Sequence, residues 1–184
     1  MALTPSNMLP LGTIAPSFEL VDSITNKKIS LQELKSPIAT VVMFICNHCP
    51  YVNYILTELV AFAKEYQQKE ISFIAINAND AERYPDDAPD KMQENAQKLG
   101  FTFPYLFDET QAVAKAYQAA CTPDFYVFDK DLRCVYRGQF DDARPGNNIA
   151  ITGASLRAAL ENILAGKAMD PQQKPSMGCN IKWR

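Results

Sequence analysis

From residue 40 to 45 the chain reads Thr-Val-Val-Met-Phe-Ile, β-branched and apolar with no polar break. A run of that length without alternation predicts a strand buried on both faces, the mark of a central parallel strand. Behind it the period changes. Val52, Ile55, Leu56, Leu59, Phe62, Ala63 and Tyr66 recur at three- and four-residue spacing, which predicts an amphipathic helix over about residues 51–68. Pro50 is tolerated only in the first turn of such a helix, where its missing N–H has no helical partner to lose. The helix therefore begins close to residues 46–50.

The remaining pattern is shorter-ranged. Residues 14–20 look extended, and 27–31 follow a turn-like Asp22-Ser23…Asn26, which suggests a hairpin. Residues 71–77 form a second apolar strand, 79–89 read as a polar loop, and 90–99 as a helix stopped by Gly100. A strand over 103–107, a short helix over 111–117, and strands over 125–128 and 134–136 around Asp129-Lys130-Asp131 follow. Residues 154–164 close the series with an amphipathic helix ending before Gly166, and the tail from 170, with Pro171, Pro175 and Gly178, reads as irregular. The order β-β-β-α-β-α-β-α-β-β-α predicts an α/β layered fold with an antiparallel part at its end. In open sheets of this kind ligand chemistry gathers at the carboxyl ends of the strands, and the stretch after residue 45 lies at such an end.

Composition narrows the class. With 184 residues, 47% of them hydrophobic, the chain can bury one substantial core, and a single domain over residues 1–184 is expected. The net charge is −3 and the longest basic run is Lys27-Lys28, which argues against nucleic acid or anionic membrane surfaces as partners. No apolar run approaches the ~18–20 residues of a membrane span. Residues 1–10 carry neither a basic segment nor an apolar one of the secretory kind, so a cytoplasmic location is expected. In a reducing compartment close cysteine pairs are catalytic or metal-binding more often than structural. The five cysteines, Cys46, Cys49, Cys121, Cys134 and Cys179, leave at least one thiol unpaired in a monomer.

Cys46-Asn47-His48-Cys49 carries the chemistry. A disulfide between residues three apart needs a tight turn, and a helix start supplies one. The helix N-terminus also offers free N–H groups and a positive dipole end, both of which favour a thiolate. Cys46, just before the first turn and the more exposed of the two, is the expected nucleophile, and Cys49 resolves the mixed disulfide. His48, the chain's only histidine, when protonated stabilises the thiolate further. Zinc binding is the rival chemistry. A structural site needs four ligands, and no second histidine or paired cysteine motif exists to complete it, so no metal and no cofactor are expected. The remaining rival is that both cysteines are buried apolar residues.

A strand, then Cys-x-x-Cys opening a long helix, then Thr122-Pro123 before a strand, resembles the thioredoxin fold. The stretches 12–20 and 29–34 are similar to the opening of the redoxins, the alkyl hydroperoxide reductase/thiol-specific antioxidant relatives of thioredoxin, and 122–129 looks like their second signature. Cys-Asn-His-Cys-Pro-Tyr-Val, Asn77-Ala78-Asn79-Asp80 and the closing 178–183 resemble a bacterial peroxiredoxin-like "thioredoxin family protein" subgroup. The resemblance spans about residues 12–183. It implies a central mixed sheet flanked by helices, with a redoxin-type N-terminal β extension and an inserted strand and helix. It implies that Cys46 and Cys49 are the redox pair, and that Pro123 is a cis-proline facing it, which lets the Thr122 backbone bind an extended substrate. Cys49-Pro50 also fits the peroxide-reactive Cys-Pro of peroxiredoxins, although Cys46 replaces their hydroxyl residue, and Arg133 sits where they keep a peroxide-orienting arginine, a position that a solvated charge after a turn explains more simply. Cys121 and Cys179 are candidates for auxiliary redox thiols, able to pair with each other or to relay oxidation from Cys49, with ordinary packing of a free thiol as the alternative. Cys134 reads as core, and Trp183 as a residue that could pin the tail. The expected function is thiol–disulfide exchange with protein or small-molecule thiols and disulfides. A thioredoxin- or glutathione-type reductant and a monomer or weak homodimer go with it. The alternatives are a thiol peroxidase acting through Cys49 and a redox-sensing or zinc-binding module.

Overall fold

A computed structural model describes residues 3–184. Its first strands are β1 (Leu3–Pro5), β2 (Glu19–Asp22) and β3 (Lys28–Ser30), followed by the short helix α1 (Leu31–Leu34). Ser30 and Glu33 close a capping box at its start. Next come β4 (Ala39–Phe44), α2 (Pro50–Gln67), β5 (Ile71–Asn77), a 3-10 turn at Pro85–Asp87, α3 (Pro89–Leu99), β6 (Tyr105–Phe107) and α4 (Ala112–Ala116). The chain ends with β7 (Cys121–Thr122), β8 (Asp124–Asp129), β9 (Cys134–Gly138), α5 (Ala154–Leu164) and β10 (Met177–Asn180).

The main sheet has the order β3-β2-β6-β5-β4-β8-β9. β4 lies inside it, parallel to β5 with Val41 opposite Phe73, and antiparallel to β8 with Val41 opposite Val127. All six residues of β4 are buried. Val41, Met43 and Ile45 face a layer that includes Leu59, Phe62 and Leu156. Val42 and Phe44 face the opposite layer, with Leu9, Leu31 and Tyr117. A strand covered on both faces has no use for polar alternation, which explains its continuous apolar run. The crossover from β4 through α2 to β5 places the N-terminus of α2 at the carboxyl end of β4. Among the described residues no helix is long and apolar enough to cross a membrane.

The structure differs from the expected pattern at its edges. The C-terminal tail is not irregular throughout: Met177–Asn180 is the middle strand of a second sheet, β1-β10-β7. The polar stretch 79–89 is not a plain loop, since its 3-10 turn carries the buried Asp87. Residues 14–20 contribute only an isolated bridge, Ile14 to Arg133, and the start of β2. Each of these features draws its stability from partners far along the chain rather than from local period.

Candidate active site

β4 ends at Phe44, and two residues later the chain turns through Cys46 to Cys49 into α2. Cys49 is the N-cap of α2 and Pro50 its first helical residue, so the missing proline N–H costs nothing. Thr122-Pro123 is a cis peptide, as the Thr-Pro-strand pattern implies. Thr122 lies against both thiols: its Oγ1 is 3.3 Å from Cys46 Sγ, and its carbonyl accepts from the protonated Cys49 thiol at 3.2 Å.

The charge distribution within the pair departs from expectation. Cys46 is not the exposed thiol, since both sulfurs are buried, with Cys46 1% and Cys49 0% accessible. When the pair has lost one proton, the Cys46 S–H donates to Cys49. This bond, together with the Cys179 thiol and the Val52 and Cys179 backbone N–H groups, holds the Cys49 thiol well below its ordinary value despite burial. The same bond, burial and the nearby Asp87 carboxylate push Cys46 well above its ordinary value. The pair thus titrates as a unit that keeps one proton, with the negative charge on Cys49.

Asp87 organises the two residues between the cysteines. Its fully buried carboxylate accepts from the Asn47 backbone N–H at 2.7 Å, from Asn77 Nδ2 at 3.2 Å and from Asn79 Nδ2 at 2.9 Å, and it pairs with His48 Nδ1. Asn47 is held further by Asn95 Nδ2 and the Tyr105 hydroxyl, each 3.1 Å from its Oδ1. The His48 ring stacks on Tyr84, centroids 5.2 Å apart. His48 Nε2 has no hydrogen-bond partner, so the imidazole bonds to Asp87 and to neither sulfur. This geometry braces the turn through Asp87, with no hydrogen bond from the ring to either thiol. Neither Asp87 nor Tyr84 was legible as a site residue. The one signal was the Asn77-Ala78-Asn79 stretch at the end of β5, which supplies two of the donors to Asp87. Cys46, His48 and Asp87 offer ligand atoms within 4.8 Å of one another. Four donors already converge on the carboxylate, however, which suits an anion acceptor better than a zinc ligand.

The other expected site residues divide. Cys179, in β10, lies opposite Thr122 and reaches Cys49. Cys121 sits one residue earlier in β7, so the pleat turns it to the other face, towards Ser6 and Asp124. That geometry turns Cys121 and Cys179 to opposite faces of the small sheet, which disfavours a bond between them. Arg133 is not at the site. β8 runs antiparallel to β4, pairing Asp129 with Ala39, so the turn leading to Arg133 lies at the opposite end of the sheet, where the residue is exposed. The Thr122 backbone is also not an open edge for substrate, because β10 is paired along it. Cys134 is buried in the core as expected. Trp183 is 38% exposed with Lys115 Nζ 5.8 Å from its ring centroid, and the tail is held also by backbone bonds such as Ile181 N–H to the Ala120 carbonyl at 3.0 Å.

A Cys-x-x-Cys turn between a central strand and its crossover helix, faced by a cis-proline, makes this molecule a thioredoxin-fold redoxin. The chain belongs to the AhpC/TSA family, whose model matches residues 11–137. It is similar to an uncharacterised conserved protein from Geobacillus kaustophilus, at 57% identity and TM-score 0.98, covering 100% of this chain and 97% of that one. A hypothetical protein from Sinorhizobium meliloti 1021 is 47% identical, with TM-score 0.95 and 98% of each chain covered. A thiol:disulfide interchange protein from Chlorobium tepidum TLS shares the fold at 18% identity and TM-score 0.63, over 83% of this chain and 97% of that one. No curated protein matches the chain. The family and fold assign it a thiol redox function.

Proposed function

We propose that this chain is a thiol–disulfide oxidoreductase whose redox pair is Cys46 and Cys49. The observation that carries the reading is the placement of two free thiols at the start of α2, both against Thr122 and its cis-proline, and the hydrogen bond between them lowers Cys49 and raises Cys46. It gives each sulfur a distinct task. In the reductive direction the Cys49 thiolate accepts the Cys46 proton as Cys46 attacks a substrate disulfide, and the first substrate sulfur leaves as a thiolate. Cys49 then gives up that proton and attacks Cys46 in the mixed disulfide. The Cys46–Cys49 bond forms, and the second substrate thiolate leaves and takes the proton. In the oxidative direction a substrate thiolate attacks Cys46, and Cys49 leaves as the stabilised thiolate. His48 and Asp87 hold the turn so that both sulfurs keep these positions. Substrates are protein or low-molecular-weight thiols and disulfides, with electrons from a thioredoxin- or glutathione-type system in a cytoplasmic setting.

A second reading, peroxide reduction by Cys49, is favoured by the same thiolate and by Pro50 after it. It lacks the arginine expected at position 133. Turnover of a protein disulfide and of hydrogen peroxide by wild type, Cys46→Ser and Cys49→Ser separates the two. The oxidoreductase reading expects disulfide turnover to vanish in Cys46→Ser. Rapid peroxide consumption that survives Cys46→Ser and vanishes in Cys49→Ser would replace it with the peroxidase.

A further inference from the structure

Cys49 is the sulfur common to two neighbours. Cys46 donates to it from one side, and Cys179 stands on the other. The second placement comes from backbone pairing. Cys179 is opposite Thr122 in the β10–β7 ladder, and residues directly opposite turn their side chains to the same face. On that face Thr122 touches Cys46 and its carbonyl touches Cys49. β10 also packs directly on α2, and all three cysteines belong to one buried cluster. The neighbour of Cys179 is built for this close approach. A Cβ on Gly178 would meet the Thr122 carbonyl oxygen at 2.0 Å and Pro123 Cδ at 3.2 Å, so only glycine lets the strand lie this near the cis-proline.

We propose that Cys179 is a third redox thiol, and that in the oxidised protein the disulfide passes from Cys46–Cys49 to Cys49–Cys179. The inference rests on the reading of Cys46 and Cys49 as the redox pair. The Cys179 thiolate attacks Cys49 Sγ, the Cys49–Cys179 bond forms as the Cys46–Cys49 bond breaks, and the electron pair leaves on Cys46. Cys46 takes up the proton that Cys179 released. No electrons enter or leave the protein, so the exchange consumes no further oxidant. It frees Cys46 while the protein stays oxidised, and it fastens β10 covalently to the start of α2, keeping the Thr122 edge closed. Burial and the bond to Cys49 push the Cys179 thiol up to about 12. Its thiolate is therefore scarce and the exchange slow.

The test uses the full chain equilibrated in glutathione buffers of increasing oxidation, acid-quenched, alkylated, digested and mapped by mass spectrometry. Wild type is expected to give both Cys46–Cys49 and Cys49–Cys179 peptides. Cys46→Ser is expected to form Cys49–Cys179, losing two of the four thiols that remain from the five. Cys46→Ala, which leaves no buried hydroxyl, serves as a second variant with the same expectation. Cys179→Ser is expected to give Cys46–Cys49 alone. Cys179 remaining free in wild type and in both Cys46 variants, while wild type forms Cys46–Cys49, overturns the proposal and leaves the redox pair standing. A wild type that forms no Cys46–Cys49 bond at any potential overturns the redox pair, and the relay with it.

Discussion

Gly178→Ala tests how firmly the C-terminal strand closes the site. The new methyl would sit 2.0 Å from the Thr122 carbonyl oxygen and 2.7 Å from its carbon, against roughly 3.5 Å for unstrained heavy-atom contact. Both atoms are backbone, so neither can rotate away, and β10 must retreat from β7 by roughly 1 Å or more. Overpacking of this kind costs about 1–3 kcal/mol. The retreat also weakens bonds that depend on the strand's position. Ile181 N–H to the Ala120 carbonyl, 3.0 Å, and Ser6 N–H to the Ser176 carbonyl, 2.9 Å, each contribute about 0.5–1.5 kcal/mol. Together these predict a loss of about 2–6 kcal/mol. Urea unfolding read by linear extrapolation measures it, and the rate at which iodoacetamide reaches Cys46 and Cys49 measures the accompanying exposure. The variant is expected to lose stability and to react faster at both thiols. A Gly178→Ala protein within about 0.5 kcal/mol of wild type, the ordinary surface range, and with unchanged alkylation rates would refute the argument.

Three further outcomes are expected. The reduced protein should show one thiolate equivalent by ultraviolet absorbance, appearing near pH 5, where the Cys49 thiol is placed. An ordinary cysteine ionises near ~8.5. Because the folded value lies below the unfolded one, the group contributes stability at alkaline pH that is lost as pH falls from about 8.5 towards 5. Cys49→Ser should remove both the absorbance step and that part of the stability profile. Asp87→Asn withdraws an acceptor from buried donors and should cost about 1–3 kcal/mol by urea unfolding. It also relieves the repulsion that raises Cys46, so the second thiolate of the pair should appear at lower pH. Arg133→Ala, an exposed residue at the far end of the sheet, should change stability by no more than about 0.5 kcal/mol and leave disulfide turnover unchanged.

Much of the fold was written in local pattern. The unbroken run 40–45, the helical spacing from Val52 to Tyr66 and the proline at position 50 together located the central strand, the crossover helix and the turn between them. The Thr122-Pro123 pair, read by resemblance, indicated the cis-proline facing that turn. These signals are strong because period, chain direction and the absence of a proline N–H act on neighbouring residues and need no distant partner.

What the tertiary structure alone decided lies in contacts of long sequence separation. Asp87 is ordinary in a polar stretch until β5 and α3 bring it under the backbone of Asn47. The segment Met-Gly-Cys-Asn carries no strand signal. It becomes β10 because Cys179 and Asn180 meet Thr122 and Cys121, more than fifty residues earlier, on an otherwise unpaired edge. Arg133 shows the converse. Its order along the chain was known, but the antiparallel course of β8 carries it away from the site. The chemistry of the pair follows the same division. That two thiols share a helix start is a property of spacing, whereas the opposite directions in which their pKa values move depend on the bond between them together with Asp87 and Cys179, which only folding brings together.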